Sequence, residues 1–181
     1  MRLAVILAVL ACVGQMCVRA EDNVLNDAEK NAGWKLLFDG KSPEHFRNFK
    51  SDKLNDGWKV VDGALVRAAK GAGDIITKEQ YDSFEFSLDW KISTGGNSGV
   101  MYHVTEEEKT PWMSGPECQI QDNAGGHDPQ KAGWCYQLYK PAIDPKTNKE
   151  VDSTRPAGEW NTFKLLMNGT HVEHWMNGVK Y

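Results

Sequence analysis

The sequence predicts an all-β domain built from two packed antiparallel sheets, a sandwich or jelly roll. Short stretches of alternating apolar and polar residues recur along the chain, and turn residues separate them. No long stretch repeats its apolar residues with the 3.6-residue period of a helix. About 160 residues remain after an N-terminal leader, which is enough for one domain with a proper core.

Residues 1–20 have the features of a secretory signal peptide. A basic start at Arg2 precedes an apolar run over 3–13, and Val18-Arg19-Ala20 supplies small residues for cleavage. The apolar run is far shorter than the roughly 20 residues that cross a bilayer, so no membrane span is expected. The sequence therefore predicts export, to the periplasm or out of the cell. A lipid anchor at Cys12 is the alternative.

Loss of the leader changes the charge and the cysteine content. Arg2 and Arg19 leave with it, so 19 basic residues face 25 acidic ones and the net charge becomes −6. An acidic exported chain without a basic cluster is a poor candidate for nucleic-acid binding. Cys118 and Cys135 remain, and they are compatible either with one disulfide or with two buried thiols on facing strands.

The strand signals follow one another from residue 33 to the end, after a polar arm over 21–32 that could be a short helix. Asp62-Gly63 predicts a tight hairpin, because this pair tolerates the positive φ angles of a two-residue turn. Phe84 begins a strand whose apolar residues alternate with polar ones, the pattern of a strand buried on one face. The other predicted elements are the strand Trp34–Phe38, the hairpin strands Trp58–Val61 and Ala64–Arg67, the strand Gly133–Tyr139, the surface loop Pro141–Pro156, and a hairpin of Trp160–Met167 with His171–Met176 about Asn168-Gly169.

Two further predicted strands, Asn97–Val104 and Glu117–Asp122, carry the residues best suited to chemistry. Successive strand residues point to opposite faces, so one face is expected to collect the polar side chains and the other the apolar ones. The residues expected on the polar side are Asn97, Met101, His103, Glu117, Gln119 and Gln121. This arrangement predicts a polar cleft floor laid on a hydrophobic core.

Glu117 is the candidate general base, since partial burial would raise the pKa of its carboxyl group into a useful range. Asp122 is not expected to be its partner in a carboxylate pair. An unbroken strand at about 3.3 Å per residue separates the two by roughly 16 Å and points them to opposite faces, whereas glycosidase pairs lie about 5–9.5 Å apart. One well-placed base is therefore favoured over a carboxylate dyad.

Two histidines and two tryptophans complete the candidate set. His103 on the strand and His127 in the glycine-rich loop 123–129 are candidate proton donors. Trp112 and Trp134 are candidates for stacking on sugar rings, although a buried core position is also open to each. A divalent metal near Glu117 and His103 is compatible with the residues, but no ligand set demands a cofactor.

Six motifs occur in one order and carry a resemblance to a known family. They are Gly33-Trp34-Lys35-Leu36-Leu37-Phe38-Asp39-Gly40, the Trp58…Asp62-Gly63 hairpin, Asn97-Ser98-Gly99-Val100, Gly115-Pro116-Glu117-Cys118-Gln119-Ile120, Gly158-Glu159-Trp160-Asn161 and His174-Trp175-Met176-Asn177-Gly178. Together they resemble the 3-keto-disaccharide hydrolase family over roughly Trp34 to Tyr181. The resemblance implies a concanavalin A-like sandwich with a concave sugar-binding face.

The resemblance also implies cleavage of glycosides already oxidised at C3, by hydrolysis or by elimination followed by hydration. In the second route a base takes the C2 proton, the C1 substituent leaves and water adds back. By position, Glu117 and Gln119 match the family's Glu-x-Gln strand and Asn97 its Asn-Ser-Gly turn. Asn97 and Gln119 are then expected to hold sugar hydroxyls of an oligosaccharide or glycoside substrate. His103 often corresponds to arginine in the family, so its role does not follow from the resemblance.

The family continues beyond the Asn177-Gly178 turn, whereas only three residues follow that turn here. We therefore expect a β-sandwich domain over 33–181 that is incomplete at its C-terminal end. A non-catalytic carbohydrate-binding module, using the same face without Glu117 as a base, is the alternative function.

Overall fold

The computed structural model describes residues 2–5 and 23–181, and their secondary structure is almost entirely antiparallel β. Apart from a strand over Arg2–Val5, the predicted leader 1–20 lies outside the described residues. No helix in the described ranges has the length and apolarity of a membrane span. The strands and their antiparallel pairing are consistent with the predicted β-sandwich.

The elements follow in chain order, with one α-helix, α1 (Asp27–Asn31), inside the polar arm. The strands are β1 (Arg2–Val5), β2 (Trp34–Leu36), β3 (Phe46–Asn48), β4 (Trp58–Val61), β5 (Ala64–Arg67), β6 (Ile75–Thr77), β7 (Phe84–Trp90), β8 (Asn97–Met101), β9 (Glu117–Gln121), β10 (Ile143–Asp144), β11 (Lys149–Glu150), β12 (Asn161–Asn168), β13 (His171–Met176) and β14 (Val179–Lys180). A 3₁₀ turn covers Pro111–Met113.

The chain divides into two compact units, Met1–Phe86 and Ser87–Tyr181. The single domain predicted over 33–181 stays a prediction. In the first unit, α1 begins at a capping box in which Asn26 and Glu29 each accept the other's backbone N–H. Such a box satisfies two amides that the first helical turn leaves without partners, which explains why this short, mostly polar segment forms a helix.

The Asp-Gly hairpin of the first unit is confirmed. Val61 pairs with Ala64 across the turn, and Asp62 and Gly63 have φ angles of 49° and 75°. Both angles are positive, as the primed hairpin turns require. Strands β3 and β6 were not predicted from the sequence. They pair antiparallel, and the buried Asn48 of β3 donates to the carbonyl oxygens of Ala72 and Asp74.

In the second unit, β12, β13 and β14 form a continuous antiparallel sheet. Alternate residues of β12 are buried, from Asn161 to Met167, so one face of this sheet meets a core. The hairpin turn lies one residue later than predicted, since Asn168 pairs directly with His171. Asn177 and Gly178, both with positive φ, form the next two-residue turn, and Val179 pairs with Met176.

A second layer, formed by β8 and β9, faces that sheet across the core of the second unit. The Tyr102 hydroxyl lies 3.1 Å from Nε2 of His174, and the two rings meet edge to face. Phe163 packs edge to face on the same imidazole. Cys118 of β9 is fully buried. The contacts fix which face of β9 points inward and which points away.

Two sequence expectations for the second unit need correction. Pro141–Pro156 is not a plain surface loop, because β10 and β11 form a short hairpin inside it, with Asp144 accepting hydrogen bonds from the turn. The prediction of a strand over Gly133–Tyr139 is wrong, because this stretch forms only isolated bridges, from Cys118 to Cys135 and from Cys135 to Tyr139. Its chain runs beside β9 as far as Tyr136 and then turns, where the Leu138 and Tyr139 amides donate back to the Cys135 carbonyl oxygen.

Candidate functional site

The register of β8 and β9 collects polar side chains on one face, as the sequence predicted. The opposed pairs are Asn97 with Gln121, Gly99 with Gln119, and Met101 with Glu117. Residues opposite each other in an antiparallel pair point to the same side. Cys118, of the other parity, is buried in the core. Glu117 and Gln119 therefore lie on the side of β9 that is turned away from the core.

A third stretch of chain, residues 133–136, continues this layer along the free edge of β9. The Gln119 amide donates to the Trp134 carbonyl oxygen, and the Tyr136 amide donates to that of Glu117. Cys118 and Cys135 are therefore paired, which puts Trp134 beside Gln119 and Tyr136 beside Glu117. We call the outward side of β8, β9 and residues 133–136 the Glu117 face.

The Glu117 side chain is half-buried and lies over Gly99. A Cβ atom at Gly99 would lie only 2.5 Å from Cδ of Glu117 and 2.7 Å from its Cγ. Real Cβ atoms essentially never approach other heavy atoms within 3.0 Å. The missing side chain at Gly99 is therefore what makes room for the carboxylate.

The interior of the Glu117 face contains polar atoms without hydrogen-bond partners. Gln119 is 1% exposed, and its Nε2 has no partner among the described residues. The indole Nε1 of Trp134, the neighbour of Gln119 across the strand pair, is also buried without one. Buried polar groups are usually satisfied, so two unsatisfied N–H donors side by side require an explanation.

The end of the face at Gln121 is held by the loop that follows β9. Gln121 is 1% exposed, and its Nε2 donates to the carbonyl oxygens of Asp128 and Gln130. Asp122 is buried too, and its carboxylate accepts the amides of Gly95 and Ala124. Backbone hydrogen bonds, that of Gly95 first, hold the pKa of Asp122 below its usual value. Asp122 thus organises a loop, in agreement with its predicted exclusion from a carboxylate pair.

Tyr136 is a candidate site residue that the sequence did not single out. Its hydroxyl donates to Oδ2 of Asp128 at 2.7 Å. That hydrogen bond is the main reason why the pKa of Tyr136 lies above its usual value, and the charge of Glu117 adds to the effect. The signal in the sequence was the alternation of Trp134 and Tyr136 in an aromatic strand, but their partner strand was not predictable from it.

The two candidate histidines lie beside this face rather than within it. Strand β8 ends at Met101, and His103 is exposed with a φ of 53°. The prediction that His103 continues the strand on the polar side is therefore wrong, because a left-handed residue breaks the alternation of faces. His127 is exposed in the loop after β9, next to the Asp128 that contacts Tyr136.

The remaining predicted binding residues differ in exposure. Asn97 is exposed at the start of β8. Trp112 is 62% exposed in the 3₁₀ turn of the loop between β8 and β9, so it is not a core tryptophan. Trp134 is half-buried, and the Lys140 ammonium lies 5.3 Å from the centroid of its ring. Trp112 therefore has an aromatic surface open to a ligand, whereas Trp134 is partly covered.

Among residues 2–5 and 23–181, no three His, Cys, Asp or Glu side chains come together as a metal site would need. The expectation that no cofactor is required stays a prediction. Cys118 and Cys135 are free thiols, the alternative to a disulfide left open by the sequence. Burial raises the pKa of both. Burial also lowers the pKa of His174 to about 4, so this histidine is a neutral core residue.

Two motifs near the end of the chain are joined by a buried amide. Asn161 is 1% exposed, and its Oδ1 accepts hydrogen bonds from the Arg155 amide at 2.7 Å and from Nδ2 of Asn177 at 2.8 Å. Asn177 in turn accepts from the Thr162 amide. These asparagines hold β12 to the turn after β13, which makes their role architectural.

Known proteins are similar to this chain in sequence and in fold. Residues 33–181 match the model of a family described as the 3-keto-alpha-glucoside-1,2-lyase-like domain. A 3-keto-disaccharide hydrolase of Bacteroides thetaiotaomicron is 28% identical over 163 residues, which are 80% of this chain and 56% of that protein. The chain thus spans little more than half the length of this curated relative.

A solved structure extends the comparison to the fold. A crystal structure from Parabacteroides distasonis, of a protein provisionally described as a glycosyl hydrolase, superposes with a TM-score of 0.75 at 37% identity. The match covers 88% of this chain and 75% of the other. The family match includes every residue of the Glu117 face and most of the chain. The chain belongs to the family of 3-keto-alpha-glucoside-1,2-lyase-like domains.

Proposed function

We propose that this protein is an exported carbohydrate-active enzyme that cleaves 3-keto-glycosides, including 3-keto-disaccharides, with Glu117 as its general base. The observation that carries the proposal is the position of that carboxylate. It is half-buried on a polar face turned away from the core, over a glycine, with aromatic neighbours on the adjacent strand. A base of this kind is what removal of a proton next to a ketone requires.

The proposed reaction begins with transfer of the C2 proton to Glu117, which the neighbouring C3 ketone makes acidic. The electron pair of the broken C–H bond moves into the sugar and expels the C1 substituent as its alkoxide, which takes up a proton. Water then adds at C1, and Glu117 returns its proton to C2. The net change is hydrolysis, so either elimination with hydration or direct hydrolysis gives the same products.

The remaining roles are part of the same proposal. His103 or His127 protonates the leaving oxygen, since each lies where the chain leaves the Glu117 face. Asn97 and Gln119 bind sugar hydroxyls, and Trp112 offers its exposed ring for stacking. For the fold we propose the concanavalin A-like jelly roll, and for the location the periplasm or the exterior of the cell.

The test is incubation of the purified protein with a 3-keto-glucoside, followed by product analysis. We expect Glu117→Gln to lower kcat by at least about 100-fold, within the range that loss of a positioned general base produces. Glu108→Gln, in the exposed loop between β8 and β9, is the matched control and should leave kcat unchanged. Equal activity of the Glu117→Gln variant and the control would contradict the assignment.

The exposure of Trp112 favours one alternative, a non-catalytic carbohydrate-binding module. Such a module binds sugars through aromatic platforms and needs no base. Isothermal titration with the 3-keto-glucoside and with the unoxidised glucoside separates the two functions. Binding of both sugars with no turnover of either would favour the module over the enzyme.

A further inference from the structure

The strongest unexplained feature of the second unit is a pair of buried donors. Nε2 of Gln119 and Nε1 of Trp134 have almost no solvent contact and no hydrogen-bond partner in the described part of the chain. An unpaired buried donor destabilises a folded protein, because the water it loses is not replaced. A chain that keeps two of them next to each other gives up stability at this point.

The two residues that carry these donors are neighbours on the Glu117 face. The Gln119 amide donates to the Trp134 carbonyl oxygen at 2.9 Å, and the Gly133 amide donates to that of Gln119 at 2.9 Å. Both side chains are therefore on the side of the layer that carries Glu117. Gln119 lies two residues from Glu117 along β9, a distance of about 6.6 Å at the usual rise of a strand.

Removal of a proton next to a ketone creates negative charge on the ketone oxygen. The electron pair of the C–H bond moves to that oxygen, the proton goes to the base, and no other reactant is consumed. Preorganised N–H donors aimed at the developing oxyanion are the usual means of lowering such a barrier. Two neutral donors beside one carboxylate form a set suited to this step.

We propose that Nε2 of Gln119 and Nε1 of Trp134 together bind the ketone oxygen of the substrate and stabilise the enolate that forms when Glu117 takes the adjacent proton. The inference rests on the proposed function and changes it at one residue: Gln119 binds the ketone oxygen of the substrate instead of a sugar hydroxyl group, so the site selects a carbonyl oxygen. A carbonyl oxygen only accepts hydrogen bonds, so it matches two donors. Both atoms are covered by protein, so the oxygen reaches them only when a neighbouring side chain moves aside.

The Lys140 side chain adds to this arrangement. Its ammonium group lies 5.3 Å from the centroid of the Trp134 ring, within the range of a cation–π contact. The contact favours one orientation of the ring and so one direction of its N–H group. The same ammonium group is 3.5 Å from Oε1 of Glu150, an ion pair that also restrains the Lys140 side chain.

The test compares Gln119→Met and Trp134→Phe with the wild-type chain. Gln119→Met removes the side-chain amide and Trp134→Phe removes the indole N–H, and each leaves an apolar side chain of related shape. The substrate is a 3-keto-glucoside with a nitrophenyl aglycone, and the unoxidised glucoside serves as competitive inhibitor. We expect kcat to fall about 100-fold or more in each variant, while the inhibition constant of the unoxidised sugar changes less than threefold.

Thr110→Val is the matched control, because the Thr110 hydroxyl is also buried without a partner in the described chain. This variant should keep its kcat, and thermal unfolding should show that all three variants fold. If Trp134→Phe does not fold, Gln119→Met alone decides. A kcat within threefold of wild type, or a parallel loss of affinity for the unoxidised sugar, would overturn the inference while leaving the enzyme intact. A wild-type protein without turnover would overturn the proposed function and the inference together.

Discussion

Gly99→Ala tests whether the position of the Glu117 carboxylate controls activity. The new Cβ atom would lie 2.5 Å from Cδ of Glu117, whereas ordinary contacts begin at 3.4 Å. Oε1 of Glu117 lies closer still to that Cβ position, so the carboxylate has to move aside and its carboxyl carbon has to shift by at least about 0.9 Å. Gly99 lies in a strand and its φ is not positive, so alanine fits the backbone.

A displacement of about 1 Å at a reacting group can cost about 100-fold in rate. That factor corresponds to about 2.7 kcal/mol of transition-state stabilisation, at about 1.36 kcal/mol for each factor of ten. We expect Gly99→Ala to lower kcat for a 3-keto-glucoside by about this factor. The melting temperature should change little, because alanine suits the backbone at Gly99 and the displaced carboxylate is the end of a flexible side chain.

Ser98→Ala is the appropriate control, since Ser98 is the exposed neighbour of Gly99 on β8 and has the opposite parity. It makes a change of similar size without approaching Glu117. A Gly99→Ala protein with wild-type kcat would refute the reasoning, since the carboxylate would then tolerate the displacement. A protein that lost both activity and melting temperature would show that Gly99 serves packing instead.

Three further predictions concern the core of the second unit. The pKa of His174 falls from about 6.5 to about 4 on folding, so the unfolded chain binds a proton first and stability is lost as the pH falls from 6.5 towards 4. His174→Gln should therefore recover up to about 3 kcal/mol of unfolding free energy at pH 4, measured by urea titration. An unchanged dependence of stability on pH would contradict this. Asn161→Leu leaves two donors unpaired and should cost about 3 kcal/mol in the same assay, whereas the exposed Asn168→Leu should cost far less. The raised pKa values of Cys118 and Cys135 should make iodoacetamide labelling at pH 7 at least about tenfold slower in the folded protein than in urea; equal rates would show that the thiols are not protected.

Local patterns in the sequence were sufficient for the elements that local physics decides. The Asp62-Gly63 hairpin formed as predicted because both residues tolerate positive φ. The pairing of β8 with β9 followed from two alternating strands joined by one loop. The strands β3 and β6 were missed, because each has only three residues and the two lie far apart in the sequence. Their paired residues Arg47 and Ile76, for example, are 29 positions apart. A pair of that kind depends on tertiary packing rather than on a nearby turn.

Single-residue backbone geometry limited the site prediction in the same way. Alternation along β8 implied that His103 shares the side of Met101, but the chain adopts a left-handed conformation at His103. Tyr102, the residue before it, is buried with its hydroxyl on His174. The strand ends there because the Tyr102 ring packs in the core. No periodicity in the sequence predicts that packing.

The three in-phase polar residues of β9 show most clearly where sequence reasoning stops. Glu117, Gln119 and Gln121 have the same parity, yet their environments differ. The Nε2 group of Gln121 donates to two carbonyl oxygens of the loop after β9. Nε2 of Gln119 is buried without a partner in the described chain, and the Glu117 carboxylate is only half-buried. The same loop contributes Asp128, which holds the Tyr136 hydroxyl beside Glu117. The loop therefore binds the Gln121 side chain at one end of the strand and leaves the Gln119 amide nitrogen, nearer the other end, without a partner in the described chain, which concentrates the capacity for chemistry at Glu117 and Gln119.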